Sequence, residues 1–238
     1  PSLIARTRNA DLLVCTGLEL EAAWLPVLMQ QSGNPKIAQG QPGYFEAGHF
    51  VPRLEVQGRV DRSAGDVHAE GNPHIQQNPH NIALVASALS KRLSEIDPAN
   101  AAYYQARQKD FKSRWDAALA QWEQQAKRLK NVAVIEHHKN MAYLLDWLGM
   151  KSVGTLEPKP GLEPSAAHLS ALLTQLQRQP AKMVIRAAYQ DERASLWLSE
   201  RARIPAVVLP FSVAGNDKAK DLFSLFDDTV QRLLEGAQ

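Results

Sequence analysis

The sequence predicts an α/β protein of two lobes with parallel sheets, joined by one long helix. The helix is predicted over residues 101–129, which contain neither glycine nor proline and carry apolar side chains at steps of three and four. After it, four short apolar stretches alternate with helical patterns, which is typical of a parallel sheet covered by helices. We therefore expect lobes at residues 1–98 and 130–238 and a joining helix at 99–129. A coiled-coil arm is the alternative for that helix, but its apolar stripe spans only about four turns and is rich in aromatic residues.

Fewer regular elements are predicted before the long helix. Residues 12–15 form an apolar strand pattern that ends at Gly17, and residues 18–31 form an amphipathic helical pattern. Residues 34–71 are rich in glycine and proline, and so long an irregular connection is usually functional. Asn78 followed by Pro79 begins a helix that runs to about residue 95, because asparagine caps helices and proline suits the first turn.

The elements after the long helix follow one repeating order of strand and helix. We predict strands at 132–135, 152–156, 183–185 and 206–209, and helices at 141–147, 166–177, 192–202 and 219–234. Binding sites in such sheets form where strands end at the carboxyl edge. Three strand ends carry polar side chains there, at residues 136–138, 187–191 and 210–217. The five tryptophans fit helix faces and are predicted to lie in the core.

Composition excludes several classes of function. The 27 basic and 25 acidic residues nearly balance, so nucleic acid is not an expected partner. No apolar run approaches the roughly 18–20 residues that a membrane-spanning helix needs. The single cysteine, Cys15, excludes an internal disulfide and lies in a buried-strand pattern, so it is predicted to be a small core residue.

Two of the seven histidines lie where a binding site is expected. His74 precedes the helix that begins at Pro79, and His138 follows a strand end. Imidazole is a common ligand of zinc, and a zinc site needs three or four converging donors. The chain has no His-Glu-x-x-His, Cys-x-x-Cys, Gly-Lys-Ser or Gly-x-Ser-x-Gly motif. The residues alone therefore indicate a two-lobed α/β protein with a cleft for a metal ion or a small ligand.

Five stretches, in order along the chain, carry a resemblance to a known family. They are Pro1-Ser2 with Ala10–Glu21, Gly71–Asn81 with Pro73-His74 and Asn78-Pro79, Val134–Gly149 with His138 and Tyr143, Gly161–Ser165, and Val184–Gln190. They resemble, in turn, the "PS…ADLVV…GLGLE" run, the Pro-His…(Asp/Asn)-Pro-x-Asn segment, the "H…Y…YGL" segment, the "EPS" helix start and the "IFxExQ" segment. Together these are typical of the metal-binding solute-binding proteins of ABC importers, the zinc/manganese cluster.

The resemblance implies a metal site in the cleft between the lobes, with ligands from both of them. His74 and His138 match two ligands of the family, and the separations from Tyr143 and Gly149 favour His138 over His137, which would then support the site or lie on the surface. The family's first ligand is a histidine upstream of the "PS" run, so we expect the N-terminal lobe to be incomplete at its start and an export signal to lie upstream. For the fourth position Asp217 is the nearest carboxylate, although it could instead cap the following helix, and a water could fill the position.

The resemblance also implies a function, partners and a location. Histidine ligands favour Zn²⁺ over Mn²⁺ as the captured ion, and delivery would be to an ABC permease. A manganese-binding member of the family, a metal-dependent hydrolase or chelatase-like enzyme with Glu136 as base, and an adhesin or binder of an organic solute are the alternatives. The loop with Asp66, His68 and Glu70 would be metal-catching or a plain solvated loop. We expect a monomer in the periplasm, or on the outer face of the cell membrane, that a metallochaperone could load.

The side chains of Arg186 and Tyr189 are expected to lie near the proposed site. The guanidinium of Arg186 carries a positive charge. Unpaired, it would repel a metal ion. We therefore expect Arg186 to bind a carboxylate and to point away from the metal.

Overall fold

The computed structural model describes residues 2–56 and 68–238. These residues group into two compact units, one made of residues 2–56 with His68–Trp115 and the other of Asp116–Gln238. Each unit contains helices and a parallel sheet, so the predicted α/β fold class is confirmed. Within the described ranges, no helix combines the length and the apolar character needed to cross a membrane.

The first unit is built around a short parallel pair of strands. Its elements are α1 (Ser2–Arg8), β1 (Leu13–Cys15), α2 (Leu25–Ser32), β2 (Tyr44–Glu46) and α3 (Pro79–Ile96). Strand β1 and helix α3 lie where the sequence predicts them, and β1 pairs in parallel with β2. The sequence did not predict α1 or β2, and β2 lies inside the stretch expected to be irregular.

Helix α2 is shorter than the predicted helix over residues 18–31. Leu18 and Glu19 adopt φ values of +53° and +67°, which an α-helix does not accommodate. Pro26 then occupies the first turn, the position where its missing N–H costs nothing. Trp24, just before the helix, is 51% exposed, so its predicted place in the core is wrong.

The predicted long helix is confirmed as α4 (Ala101–Ala126), which follows a 3₁₀ turn and contributes residues to both units. Its apolar stripe is buried from Trp115 onward except for the half-buried Ala118, and Trp115 and Trp122 are both fully inaccessible. The indole N–H of Trp115 donates to the Pro79 carbonyl at 2.9 Å. The indole N–H of Trp122 donates to Asp227 Oδ1 at 2.6 Å. The two indoles therefore fix this helix through both packing and hydrogen bonds.

The second unit contains the four predicted β–α repeats. They are β3 (Ala133–Glu136), α5 (Ala142–Leu148), β4 (Lys151–Thr155), α6 (Ala166–Leu176), β5 (Met183–Ala187), α7 (Arg193–Ala202), β6 (Ala206–Leu209) and α8 (Leu222–Gly236). The strand order is β4-β3-β5-β6 and every pair is parallel. Because the strands are parallel, all four carboxyl ends meet at one edge of the sheet.

The core of the second unit explains why these segments form strands. β5 is buried along its whole length, and its Val184 packs with Ile135 of β3 against leucines of α6 and α7. Strands covered on both faces read as continuous apolar runs, which is the pattern at residues 133–135 of β3 and 183–185 of β5. The register pairs Glu136 of β3 with both Thr155 of β4 and Ile185 of β5, so the residues that follow these strands begin side by side.

Candidate metal centre

His138 lies at the carboxyl edge of the sheet in the second unit, next to a carboxylate. Glu136 and Thr155 pair at the ends of β3 and β4. His138 and Glu157, each two residues past its strand end, are therefore neighbours. Nδ1 of His138 lies 2.6 Å from Glu157 Oε2. Their side chains are 18% and 14% exposed, so the pair is sheltered but still reached by solvent.

This hydrogen bond determines which ring nitrogen of His138 can bind a metal. A carboxylate has no proton to donate, so Nδ1 carries the hydrogen and the lone pair lies on Nε2. Metal-binding histidines are commonly held in this way, with a carboxylate on the nitrogen that does not ligate. His138 is therefore prepared to ligate through Nε2.

His137 has a different environment from its neighbour. It is only 7% exposed, and its Nδ1 has no hydrogen-bond partner in the described part of the chain. Its Nε2 lies 3.9 Å from Glu157 Oε1, beyond hydrogen-bond distance. Burial lowers the pKa of His137, because the charged imidazolium loses its hydration. The sequence predicted that His137 either supports the site or lies on the surface, and the surface alternative is wrong.

His74, in the first unit, is held at the same ring atom by an amide. Asn72 Oδ1 accepts from the backbone N–H of His74 at 3.0 Å and lies 2.8 Å from its Nδ1. Asn72 Nδ2 donates to Glu55 Oε2 at 2.9 Å, which fixes the amide with its oxygen toward the imidazole. Because an amide oxygen only accepts, Nδ1 of His74 carries the hydrogen and Nε2 the lone pair.

The segment around His74 is positioned by its asparagines. Gly71 has φ +119°, in a region that favours glycine, and the buried Asn72 follows it. Asn78 caps α3 by accepting from the backbone N–H of His80. Asn81 Nδ2 donates to the Ile75 carbonyl at 2.9 Å, which ties the turn after His74 to the helix.

Asp217 is exposed in the loop after β6. The predicted alternative, that it caps the last helix, is wrong, because α8 begins at Leu222 and its N-cap is Asp221. Asn216 organises this loop, since its Oδ1 accepts from the backbone N–H groups of Lys218 and Ala219. The role of Asp217 as a metal ligand stays a prediction.

The predicted metal-catching loop is described only in part. Asp66 lies outside the described residues, while His68 is half-buried and Glu70 is exposed. Glu19 Oε2 accepts from the backbone N–H of Ala69 at 2.7 Å, so this loop is attached to the segment after β1. Over residues 2–56 and 68–238, no group of three or more His, Cys, Asp or Glu side chains is arranged to hold a metal ion.

Arg186 binds a carboxylate and a backbone carbonyl near the end of β5. Its guanidinium lies 3.3 Å from Glu192 Oε2 and donates to the Gln190 carbonyl at 2.9 Å. The expectation that it binds a carboxylate is therefore confirmed. Nearby, Asn140 Nδ2 donates to the Tyr189 hydroxyl at 2.8 Å, which links the loop after β3 to the loop after β5.

Comparison with known proteins identifies the family. The family model described as "ZnuA: Zinc-uptake complex component A periplasmic" matches residues 1–236. The chain belongs to this family. A "High-affinity zinc uptake system protein ZnuA" from Yersinia pestis is 26% identical over 77% of this chain and 62% of its own length. A "Manganese ABC transporter substrate-binding lipoprotein scaA" from Streptococcus gordonii is 20% identical over 99% of this chain and 76% of its own length.

The fold is also that of a solved member of the family. A crystal structure of ZnuA superposes with a TM-score of 0.78 at 22% identity, over 100% of this chain and 84% of that one. The chain thus spans 62% of the length of the Yersinia relative and most of the solved ZnuA chain.

The sequence did not point to two residues of the candidate site in this protein, Glu157 and Asn72. Polar side chains were sought at the carboxyl ends of three strands but not at that of β4, where Glu157 lies. The signal was present, because Glu157 is the first carboxylate after a predicted strand of a parallel sheet. Asn72 stands two residues before His74, where its side chain can accept from the following backbone.

Proposed function

We propose that this protein captures a divalent metal ion, Zn²⁺, and delivers it to an ABC permease. The observation that carries the proposal is that two histidines have the same tautomer. In both His74 and His138, an acceptor at Nδ1 leaves the lone pair on Nε2, which is the form that binds a metal. Membership of the zinc-uptake family supports the same conclusion.

The donor set favours zinc over manganese. Imidazole nitrogen suits Zn²⁺, whereas Mn²⁺ prefers carboxylate, carbonyl and water oxygens. The Streptococcus gordonii relative is named for manganese, so a manganese-binding protein is the alternative. We propose that His74 and His138 ligate one ion, with Asp217 or a water as a further donor. His68 and Glu70, with Asp66, would capture the ion on its way to that site.

Binding and release, with no chemistry, is the role proposed for the whole protein. The enzyme alternative relied on Glu136 as general base, but Glu136 is only 3% exposed and is poorly placed to reach a substrate. We propose that the protein works as a monomer in the periplasm or on the outer face of the cell membrane. A permease subunit would receive the ion from this protein, and a metallochaperone could supply the ion to this protein. In this proposal residues 99–129 join the lobes 1–98 and 130–238.

Replacing each histidine tests the proposal directly. We expect His74→Ala and His138→Ala each to weaken zinc binding by more than the roughly 10–100-fold that loss of a supporting partner costs, because a ligand itself is removed. The measurement is a competition titration of the metal-free protein against a zinc chelator of known affinity.

His80→Ala is the matched control, since His80 is exposed on the first turn of α3 and is not a proposed ligand. Its zinc affinity should equal that of the unaltered protein. Unchanged affinity in both His74→Ala and His138→Ala would refute the proposed function.

A further inference from the structure

We propose that Glu157 is a positioning residue that selects His138, and not the adjacent His137, as the zinc ligand and directs its Nε2 to the ion. The inference deepens the proposed function and rests on it. It assigns a role to a side chain that would not itself touch the metal.

Glu157 stands beside both histidines but bonds only one. Its Oε2 is 2.6 Å from Nδ1 of His138, while its Oε1 is 3.9 Å from Nε2 of His137. The first distance is a short, charge-assisted hydrogen bond and the second is not a hydrogen bond. The two imidazoles are adjacent in sequence, so the geometry of this one carboxylate distinguishes them.

The carboxylate is held in place by the loop that carries it. The backbone N–H of Gly161 donates to Glu157 Oε2 at 2.8 Å, and Gly161 has φ +81°, which favours glycine. The backbone N–H of Glu157 donates to the His137 carbonyl at 3.1 Å. Thr155 Oγ1 donates to the Glu157 carbonyl at 2.7 Å. Glu157 is therefore fixed on both its backbone and its side chain by groups that are present without any metal.

The first turn of α6 supports the same loop. His168 Nε2 lies 2.8 Å from the Thr155 carbonyl, which only accepts, so His168 donates. Ser165 caps this helix by accepting from the backbone N–H of His168. The end of β4, from which Glu157 projects, is thus tied to a neighbouring helix.

Two physical effects follow for zinc binding. The hydrogen bond removes the other tautomer of His138, in which Nε2 would carry a proton and could not ligate. The negative charge also makes the imidazole a stronger donor. His137 has no hydrogen bond to this carboxylate, which lies 3.9 Å from its Nε2, and it is almost completely buried. Loss of such a supporting partner typically weakens metal binding by roughly 10–100-fold, and we expect this range for Glu157→Ala.

The tautomer of His138 in the metal-free protein is the most specific readout. In the unaltered protein, long-range ¹⁵N–¹H correlation spectra should show His138 protonated on Nδ1. In Glu157→Ala, the spectra should show the Nε2-protonated form or an exchanging mixture. Glu157→Gln should keep the Nδ1 proton, because its amide oxygen still accepts, and should lose less zinc affinity than Glu157→Ala.

Affinity measurements show whether Glu157 acts through His138. In a His138→Ala background, adding Glu157→Ala should weaken zinc binding no further, because the supported ligand is already gone. Glu200→Gln is the control, since Glu200 is exposed on α7 and has no part in the site. It should change neither the affinity nor the tautomer.

The outcomes separate this inference from the proposed function. If zinc binds through His138 but Glu157→Ala leaves both the tautomer and the affinity unchanged, the inference is overturned and the proposed function stands. If His138→Ala binds zinc as tightly as the unaltered protein, His138 is not a ligand and the inference is overturned; unchanged affinity in His74→Ala as well would overturn the proposed function.

Discussion

Two histidines that share a tautomer differ in the charge of the group that holds them. Nδ1 of His74 lies against the neutral amide of Asn72, and Nδ1 of His138 lies against the carboxylate of Glu157. Hydrogen bonds to charged acceptors are about twice as strong as those between neutral groups. At the residue scale, His138 is therefore the more firmly oriented of the two proposed ligands.

The lone cysteine allows a prediction about reactivity. Cys15 is buried as the sequence predicts, and burial raises the pKa of its thiol from 9.0 to about 11. At pH 8 the folded protein should hold roughly 100-fold less thiolate than the unfolded chain, and thiolate is the reactive form. We expect iodoacetamide to alkylate the folded protein at least that much more slowly, as measured by intact mass against time.

The urea-unfolded protein is the control, since it has the same single thiol without its burial. Equal alkylation rates in the two states would contradict the raised pKa.

The raised pKa of Cys15 also makes the stability of the fold depend on pH. The contribution of the protonated thiol is fully present below pH 9.0 and is lost as pH rises through about 11.

The sequence predicts the proposed ligands better than their supporting partners. His74 and His138 could be selected because one precedes a capped helix and the other follows an apolar strand. Glu157 is 19 residues from His138, and only the pairing of Glu136 with Thr155 makes them neighbours. Register depends on how strands pack against each other, so a single strand's own residues do not reveal it.

Among the elements, the ends of the last helix were harder to predict than its existence. Helix α8 was expected from residue 219 and begins at Leu222. Asp221 and Ser224 form a reciprocal capping box, in which each side chain accepts from the other residue's backbone N–H. Apolar spacing predicts the body of a helix, while its first residue depends on which of several polar side chains becomes the cap.

Removal of this cap should destabilise the protein. We expect Asp221→Ala to lower the free energy of unfolding by about 1 kcal/mol, as loss of an N-cap typically does. Urea unfolding followed by circular dichroism measures it. Asp217→Ala is the matched control, because Asp217 is exposed four residues earlier and is not the cap. A loss of the same size in the control would contradict the assignment of the cap.

The same cap has a pH dependence. The hydrogen bonds that Ser224 donates lower the pKa of Asp221, because they favour the carboxylate form. A carboxylate with a lowered pKa stabilises the folded state above its ordinary value of 3.8, and that stabilisation is lost as pH falls through the lowered pKa. The difference between Asp221→Ala and the unaltered protein should therefore shrink in strong acid.

Strand β2 lies in irregular surroundings, and the sequence did not predict it. β2 has only three residues and follows a stretch rich in glycine and proline. Its strand conformation depends on pairing with β1, which is a long-range contact. By contrast, β5 was predictable from residues 183–185, because a buried strand favours a continuous apolar run.

At the scale of the whole molecule, the proposed ligands belong to different units. His74 lies in the unit that includes His68–Trp115, and His138 lies in Asp116–Gln238. An ion that binds both histidines binds the folded protein and not the unfolded chain, so it must stabilise the fold.

Zinc should therefore raise the melting temperature of the whole protein. At free zinc of about 100 times Kd, linkage gives about 2.7 kcal/mol, which corresponds to roughly 5–10 °C for a chain of this size. Calorimetry with and without zinc measures the shift, and an added chelator should reverse it. Mn²⁺ at the same concentration should give a smaller shift, because nitrogen ligands favour zinc.

His74→Ala and His138→Ala should each lose most of the zinc-induced shift in melting temperature, although the two substitutions lie in different units. A variant that kept the full shift would show that its histidine does not hold the ion, and the remaining unit would then have to bind zinc by itself.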